Sequence, residues 1–198
     1  MKWSDSGGGD FEQPPVGTFV GRCIKIIDIG TQKGEWQGKA NFKRQVVIGW
    51  ELPTELMAEG DYAGKPFVVS KFYTASLGEK ANLRKDLQNW RGREFTSEEL
   101  AGFDSKNILG KPCMLSLTAN DKGKTRVTGV MAMPKGMEVP AQINQGVYFS
   151  LDEFDTNVFE GLPKGFKAMI TASPEYQHVN KTGKPSGSMS DLDDDTPF

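Results

Sequence analysis

The residues in this chain best suited to recognition chemistry are aromatic rings set beside cations. Trp36 lies between Lys33 and Lys39, Phe42 precedes Lys43 and Arg44, Tyr73 follows Lys71 by two positions, and Trp90 precedes Arg91 and Arg93. Each ring offers a flat face on which a base can stack, worth about 1–3 kcal/mol, and the neighbouring cations suit phosphates, so the pattern fits a groove for a single nucleic-acid strand. The same rings also suit a core. Trp50, Phe19 and Phe72 fall among apolar neighbours and are read as core; Trp36, in a polar Gly-rich stretch, is read as a binding ring. Tyr73 fits either role, and Trp90 continues an apolar stripe with Leu83 and Leu87 and is read as core. Lys80, Arg84, Gln88 and Arg91 recur every three or four residues beside that stripe, either as a row of phosphate contacts or as a solvated face.

Catalytic patterns are few. The single histidine, His178, excludes the usual metal clusters and gives no basis for a His-centred triad. Gly34 to Ala40 is one residue short of a phosphate-binding P-loop and lacks its closing Ser or Thr. Asp152, Glu153 and Asp155 sit in a helix-start pattern, where carboxylates complement the helix dipole, rather than in a nuclease site. Cys23 and Cys113 are isolated within apolar segments, as expected of buried reduced thiols. A non-enzymatic protein without cofactor or metal is expected.

With 198 residues, 37% of them hydrophobic, the chain can bury one good core. The formal charge of −2 hides an asymmetry: four of the 26 acids (Asp191, Asp193, Asp194 and Asp195) lie in the last octapeptide, leaving 24 bases against 22 acids elsewhere. A near-neutral body binds nucleic acid only where its Lys and Arg gather on one face. No signal peptide opens the chain and no apolar run reaches the roughly 18 residues of a membrane helix, so a soluble, cytoplasmic protein is expected.

Several elements must position these residues. Residues 1–15, with Ser-Asp-Ser-Gly-Gly-Gly and Pro14-Pro15, read as a flexible arm. Thr18 to Ile29 and Ala40 to Leu52 read as two strands of a long hairpin joined by a Gly-rich loop at Gly30 to Gly38, and Phe67 to Thr74 as a third strand. Ser76-Leu77-Gly78-Glu79 reads as a capping box opening a helix that Gly92 ends, and Thr96 with Glu99 as a second box on a short turn. Pro112 to Ala119 and Thr125 to Met133 form a further hairpin around Gly123. Three strands, a helix and two strands is the order of the five-stranded OB barrel, with its helix between strands three and four. The fold expected is therefore mainly β: an OB-fold domain over residues 16–178, carrying a small helical elaboration capped at Ser150 to Glu153 and built on Phe159, Leu162, Phe166 and Ile170. Residues 179–198 read as flexible linker and acidic tip.

Two resemblances extend this reading. The ending Asp193-Asp194-Asp195-Thr196-Pro197-Phe198 resembles the C-terminal tip of bacterial-type single-stranded-DNA-binding proteins, with Thr196 where that tip carries an aliphatic residue. It implies a partner-binding role for Asp193, Asp194, Asp195, Pro197 and Phe198, the terminal ring and carboxylate entering an apolar pocket edged by basic residues. A solvating acidic tail is the alternative. Residues from about Val16 to Pro174, with Ile27-Asp28-Ile29-Gly30-Thr31-Gln32, Gly49-Trp50-Glu51-Leu52-Pro53 and Lys80-Ala81-Asn82-Leu83-Arg84-Lys85-Asp86-Leu87, look like bacteriophage replication and recombination proteins with an OB core. This resemblance implies binding of single-stranded DNA and action in a host cytoplasm, and the tip implies recruitment of replication and repair proteins; homo-oligomers are compatible with the sequence. The DNA-binding set expected from the residues is Lys33, Trp36, Lys39, Lys43, Arg44, Lys71, Tyr73, Lys80, Arg84 and Arg91. An OB-type interaction adaptor, or an inhibitor of a host DNA enzyme with little DNA binding, is the competing expectation.

Overall fold

The computed structural model describes residues 12–182, so most of the expected N-terminal arm and the whole acidic tip, with Asp193, Asp194, Asp195, Pro197 and Phe198, lie outside the described residues. β1 (Gly17–Trp36) and β2 (Lys39–Leu56) form one long antiparallel hairpin. Gln37 and Gly38 make its two-residue turn, both at positive φ (51° and 74°), as a turn matched to strand twist requires. The Gly-rich stretch expected as a loop is therefore a continuing ladder. Its glycines fall one per few residues between Thr, Gln, Lys and Trp, and pairing across the hairpin outweighs their weak strand preference.

β3 (Pro66–Thr74) pairs with β2, β4 (Pro112–Ala119) pairs with both β1 and β5 (Thr125–Met131), and the short β6 (Val147–Phe149) runs parallel to β1. The sheet order is β3-β2-β1-β4-β5, with β6 beside β1. Among the described residues no ladder joins β3 to β5, so the sheet is open where a closed barrel was expected. One reason is local. Thr125 at the start of β5 turns its amide to Gln13 Oε1 (3.4 Å) and its hydroxyl to the Pro14 carbonyl (2.7 Å) rather than to β3. Glu12 accepts from the amides of Ala58 (2.8 Å) and Glu59 (3.2 Å), so this end of the expected arm is tied across the sheet.

Helix α1 (Asn82–Arg91) follows β3, and its end is as expected: Gly92 at φ 66°, with the Arg93 amide bonded back to Gln88. Its start differs. Ser76 accepts from the Gly78 amide in a local turn, and the helix begins later, at Asn82, with the extended Ala81 before it supplying no side-chain cap. α2 (Ser97–Ala101) carries the expected Thr96–Glu99 capping box. In the β4–β5 turn Asn120 accepts from the amides of Lys122 and Lys124 around Gly123. The C-terminal stripe is broken at Pro163 into α3 (Thr156–Gly161) and α4 (Lys164–Thr171). Asp155 caps α3, in place of Ser150. Pro174 begins α5 (Pro174–Thr182) instead of ending the unit, and Val179 is buried, so helix replaces the first residues of the expected linker.

Two cores lie on opposite faces of the β1–β2 root. One gathers Cys23, Ile26, Ile48, Trp50 and Leu115 against Leu87 and Trp90 of α1. Its centre is a tilted Trp50–Trp90 pair, ring centroids 5.9 Å apart, and the Trp90 indole donates to the Pro112 carbonyl at 2.7 Å. The other sets Ile27, Ile29 and Val47 against Phe149, Phe159, Leu162 and Ile170, so the helical elaboration packs on the sheet as expected. Cys23 and Cys113 are free and buried. Burial pushes the Cys23 thiol up to about 12 and raises Cys113 as well, which suits inert packing groups.

Candidate nucleic-acid interface

Beyond the two cores the hairpin continues alone. Pairing of β2 with β3 begins at Gln45, and β6 leaves β1 at Ile27, so residues 31–44 form a two-stranded ribbon whose ladder is its own, with the Arg44 carbonyl at its root accepting from the Ala75 amide at 2.8 Å. Trp36 pairs with Lys39 at its end, Lys33 with Phe42 and Gln32 with Lys43. Cross-strand partners share a face, so Lys33 stands beside Phe42, whose ring is 66% exposed. Lys33, Lys39 and Lys43 are exposed and have no ion pair among the described residues. At the foot of the ribbon Lys43 joins Gln45, Lys71, Phe72 and Lys80 in lining a groove along the end of β3.

The structure separates the other expected residues from this set. Tyr73 is only 4% exposed, because the face of β3 that carries Val69 and Tyr73 packs into the first core. Its hydroxyl donates to Asp86 Oδ2 at 2.8 Å, and burial first, then the Asp86 charge, raises its pKa. This corrects its reading as an exposed stacking ring. The opposite neighbour, Phe72, is expected in the core but is 49% exposed, with its ring centroid 6.4 Å from that of Phe166. Lys71 lines the groove, yet its ammonium is bound by Asp86 at 2.6 Å and lies over the Tyr73 ring. Arg44 is bonded to Asp28 and reaches Asp152 at 2.9 Å, so its charge is matched within the fold.

The expected row of phosphate contacts on the helix is not continuous. Lys80 precedes α1, Arg84 donates to the Leu77 carbonyl at 3.3 Å, and Arg91 is paired with Glu99 while lying over the rings of Phe95 and Phe103. Glu99 is held down to about 2 by Arg93 first, then by the Thr96 amide and Arg91. Of the helix-side cations in the expected row, Lys80 is the one left exposed in the groove.

Some exposed rings and cations near the candidate site escape the sequence reading. Strand β3 leads from the ribbon groove to a second one beside the start of β5, lined by Tyr62, Val68, Ser70 and Arg126 together with Glu12, Gln13 and Pro14. Tyr62 is half exposed and carries Lys65 5.2 Å from its ring. Lys122 and Lys124 stand exposed in the nearby β4–β5 turn. The signal available for this set was the cation-beside-ring pattern of Tyr62 and Lys65, three residues apart.

No protein-family model matches this sequence, and no curated protein matches it. Among the described residues no group of three or more His, Cys, Asp and Glu side chains is placed to hold a metal ion, and no helix is long and apolar enough to cross a membrane.

Proposed function

We propose that this chain is a non-enzymatic single-stranded-DNA-binding protein, built on an OB-type fold, that coats and protects exposed strands during replication or recombination. The ribbon carries this reading: three exposed lysines without ion pairs and the exposed Phe42 project from the sheet and continue into the Phe72–Lys80 groove. The strand order β3-β2-β1-β4-β5, with α1 between β3 and β4 in the chain, supports the OB part. OB modules bind oligonucleotides on the face of strands two and three, between the β1–β2 and β4–β5 connections, which here are the ribbon and the Lys122–Lys124 turn. One groove lies at the foot of the ribbon along the end of β3, and a second lies between β3 and the start of β5, next to that turn in the chain.

Stacking on Phe42, Phe72 and Tyr62 treats every base as a π-face, so binding has little sequence preference. The Asp193 to Phe198 tip recruits replication and repair enzymes, the terminal Phe supplying the desolvated anchor. The adaptor reading draws on a different observation: Arg44, Lys71 and Arg91 are matched internally, which lowers the charge left for phosphates. Titration of labelled oligo-dT at several salt concentrations decides between them. Four phosphates met by Lys33, Lys39, Lys43 and Lys80 give a slope of log affinity against log salt of about −3. No binding at low salt, or a flat response, leaves the adaptor.

A further inference from the structure

The ribbon leaves the sheet at a built joint. The β1–β2 register shifts between Asp28 and Gly30, and Gly30 sits at φ 70°. A Cβ there would meet Ser173 at 2.5 Å and Glu175 Oε2 at 2.9 Å, so only glycine lets the start of α5 come this close. On the ribbon side of the joint, Glu175 accepts from both the Thr31 amide (2.9 Å) and the Thr31 hydroxyl (2.6 Å). Gln32 Nε2 donates to the Met169 carbonyl at 3.0 Å, adding α4 to the contact. On the sheet side Asp28 accepts from the Gly30 amide, Arg44 and the Leu151 amide. The hydrogen bonds that tie the first ribbon residues to the helical unit thus run through Thr31 and Gln32.

We infer that Glu175 is a positioning residue, which sets the angle at which the ribbon leaves the sheet and so aligns its lysines with the groove along β3. A two-stranded ribbon without a third strand or a packed face bends easily about its root. Two hydrogen bonds from the amide and hydroxyl of Thr31 to one carboxylate fix both the position and the twist of the first ribbon residue. The helical unit is then more than a cover for Ile27, Ile29 and Val47. It orients the arm. The consequence for DNA rests on the proposed binding function, but the orientation itself does not.

The test therefore has an arm without DNA. Nitroxide labels at Gln37→Cys and Lys124→Cys, with the native cysteines buried, report the ribbon-to-turn distance by pulsed electron resonance. Glu175→Ala and Thr31→Val should each broaden that distribution or move its centre, and Glu175→Gln should do so less. An unchanged distribution in both Glu175→Ala and Thr31→Val overturns the inference, whatever DNA does. In the second arm Glu175→Ala should weaken oligo-dT binding about fivefold. That loss should vanish when Lys33, Lys39 and Lys43 are all changed to Ala and persist in Lys80→Ala. An equal loss with and without the ribbon lysines would mean a general structural role and would overturn the positioning claim. If the unaltered protein does not bind oligo-dT, the DNA reading fails and the distance arm alone decides the joint.

Discussion

The root and the tip of the β1–β2 hairpin are one continuous ladder with opposite surroundings. At the root Val47 faces one core while Ile48 and Trp50 face the other, and both strands are buried on two sides. At the tip residues 31–44 have no third strand, and Lys33, Lys39, Phe42 and Lys43 stand in solvent. Arg44 marks the border, its guanidinium held by Asp28 and Asp152. Both halves pair as antiparallel strands, regular in the tip and with two register shifts in the root. What differs is cover, and cover decides whether a residue contributes to stability or is free for a ligand.

The largest effect should come from cutting into the root. Trp50→Ala should cost about 3–5 kcal/mol of stability, read by chemical denaturation, because a fully buried ring leaves a cavity. A drop of less than about 1 kcal/mol would mean that the root is not held by its two cores. The exposed rings should behave in the reverse way. Phe42→Ala and Phe72→Ala should each reduce oligo-dT affinity by about 1–3 kcal/mol in fluorescence titrations, with thermal midpoints close to that of the parent. Unfolding of either variant well below the parent would place that ring in the core instead.

A smaller effect separates the two faces of β3. Tyr73→Phe removes the hydroxyl that donates to Asp86 and should cost about 0.5–1.5 kcal/mol of stability with no change in DNA affinity. A fall in affinity without a fall in stability would return Tyr73 to the interface.

The joint between root and tip gives the least effect and a pH signature. Burial alone would raise the Glu175 carboxyl, but the Thr31 hydroxyl and amide, with the Arg44 charge, hold it below its ordinary value. A carboxyl depressed on folding adds stability that is present at neutral pH and lost as pH falls through its folded value. Thermal midpoints of the parent and Glu175→Gln should therefore differ at neutral pH and converge in acid. A gap that widens on acidification would contradict the depressed carboxyl.

Local patterns were the legible part of this fold. The β4–β5 turn is written in Asn120 and Gly123, the α2 cap in Thr96 and Glu99, and the end of α1 in Gly92, each decided within a few residues. The Ser76 box failed because its hydroxyl had a nearer donor, the Gly78 amide. In sequence the first strand of the ribbon reads as a loop because Gly30, Gly34 and Gly38 look like breakers; one of them supplies the joint and another the turn. On β3, alternation showed that Phe72 and Tyr73 face opposite ways, but not which way the core lay.

Site assignment was harder because the fate of a cation depends on partners that no spacing rule identifies. Lys71 is matched by Asp86, Arg44 by Asp28 and Asp152, and Arg91 by Glu99. Lys33, Lys39, Lys43 and Lys80 stay exposed because, among the described residues, no carboxylate is folded against them.

The most direct test of the ribbon as a DNA-binding arm is the salt dependence of oligo-dT affinity in the parent and in the Lys33→Ala, Lys39→Ala, Lys43→Ala triple variant. Each phosphate left without its lysine takes about 0.7 off the slope, so the slope should change by about two units, with the thermal midpoint unmoved. Equal slopes in the two proteins would place the phosphates elsewhere and contradict a DNA-binding ribbon.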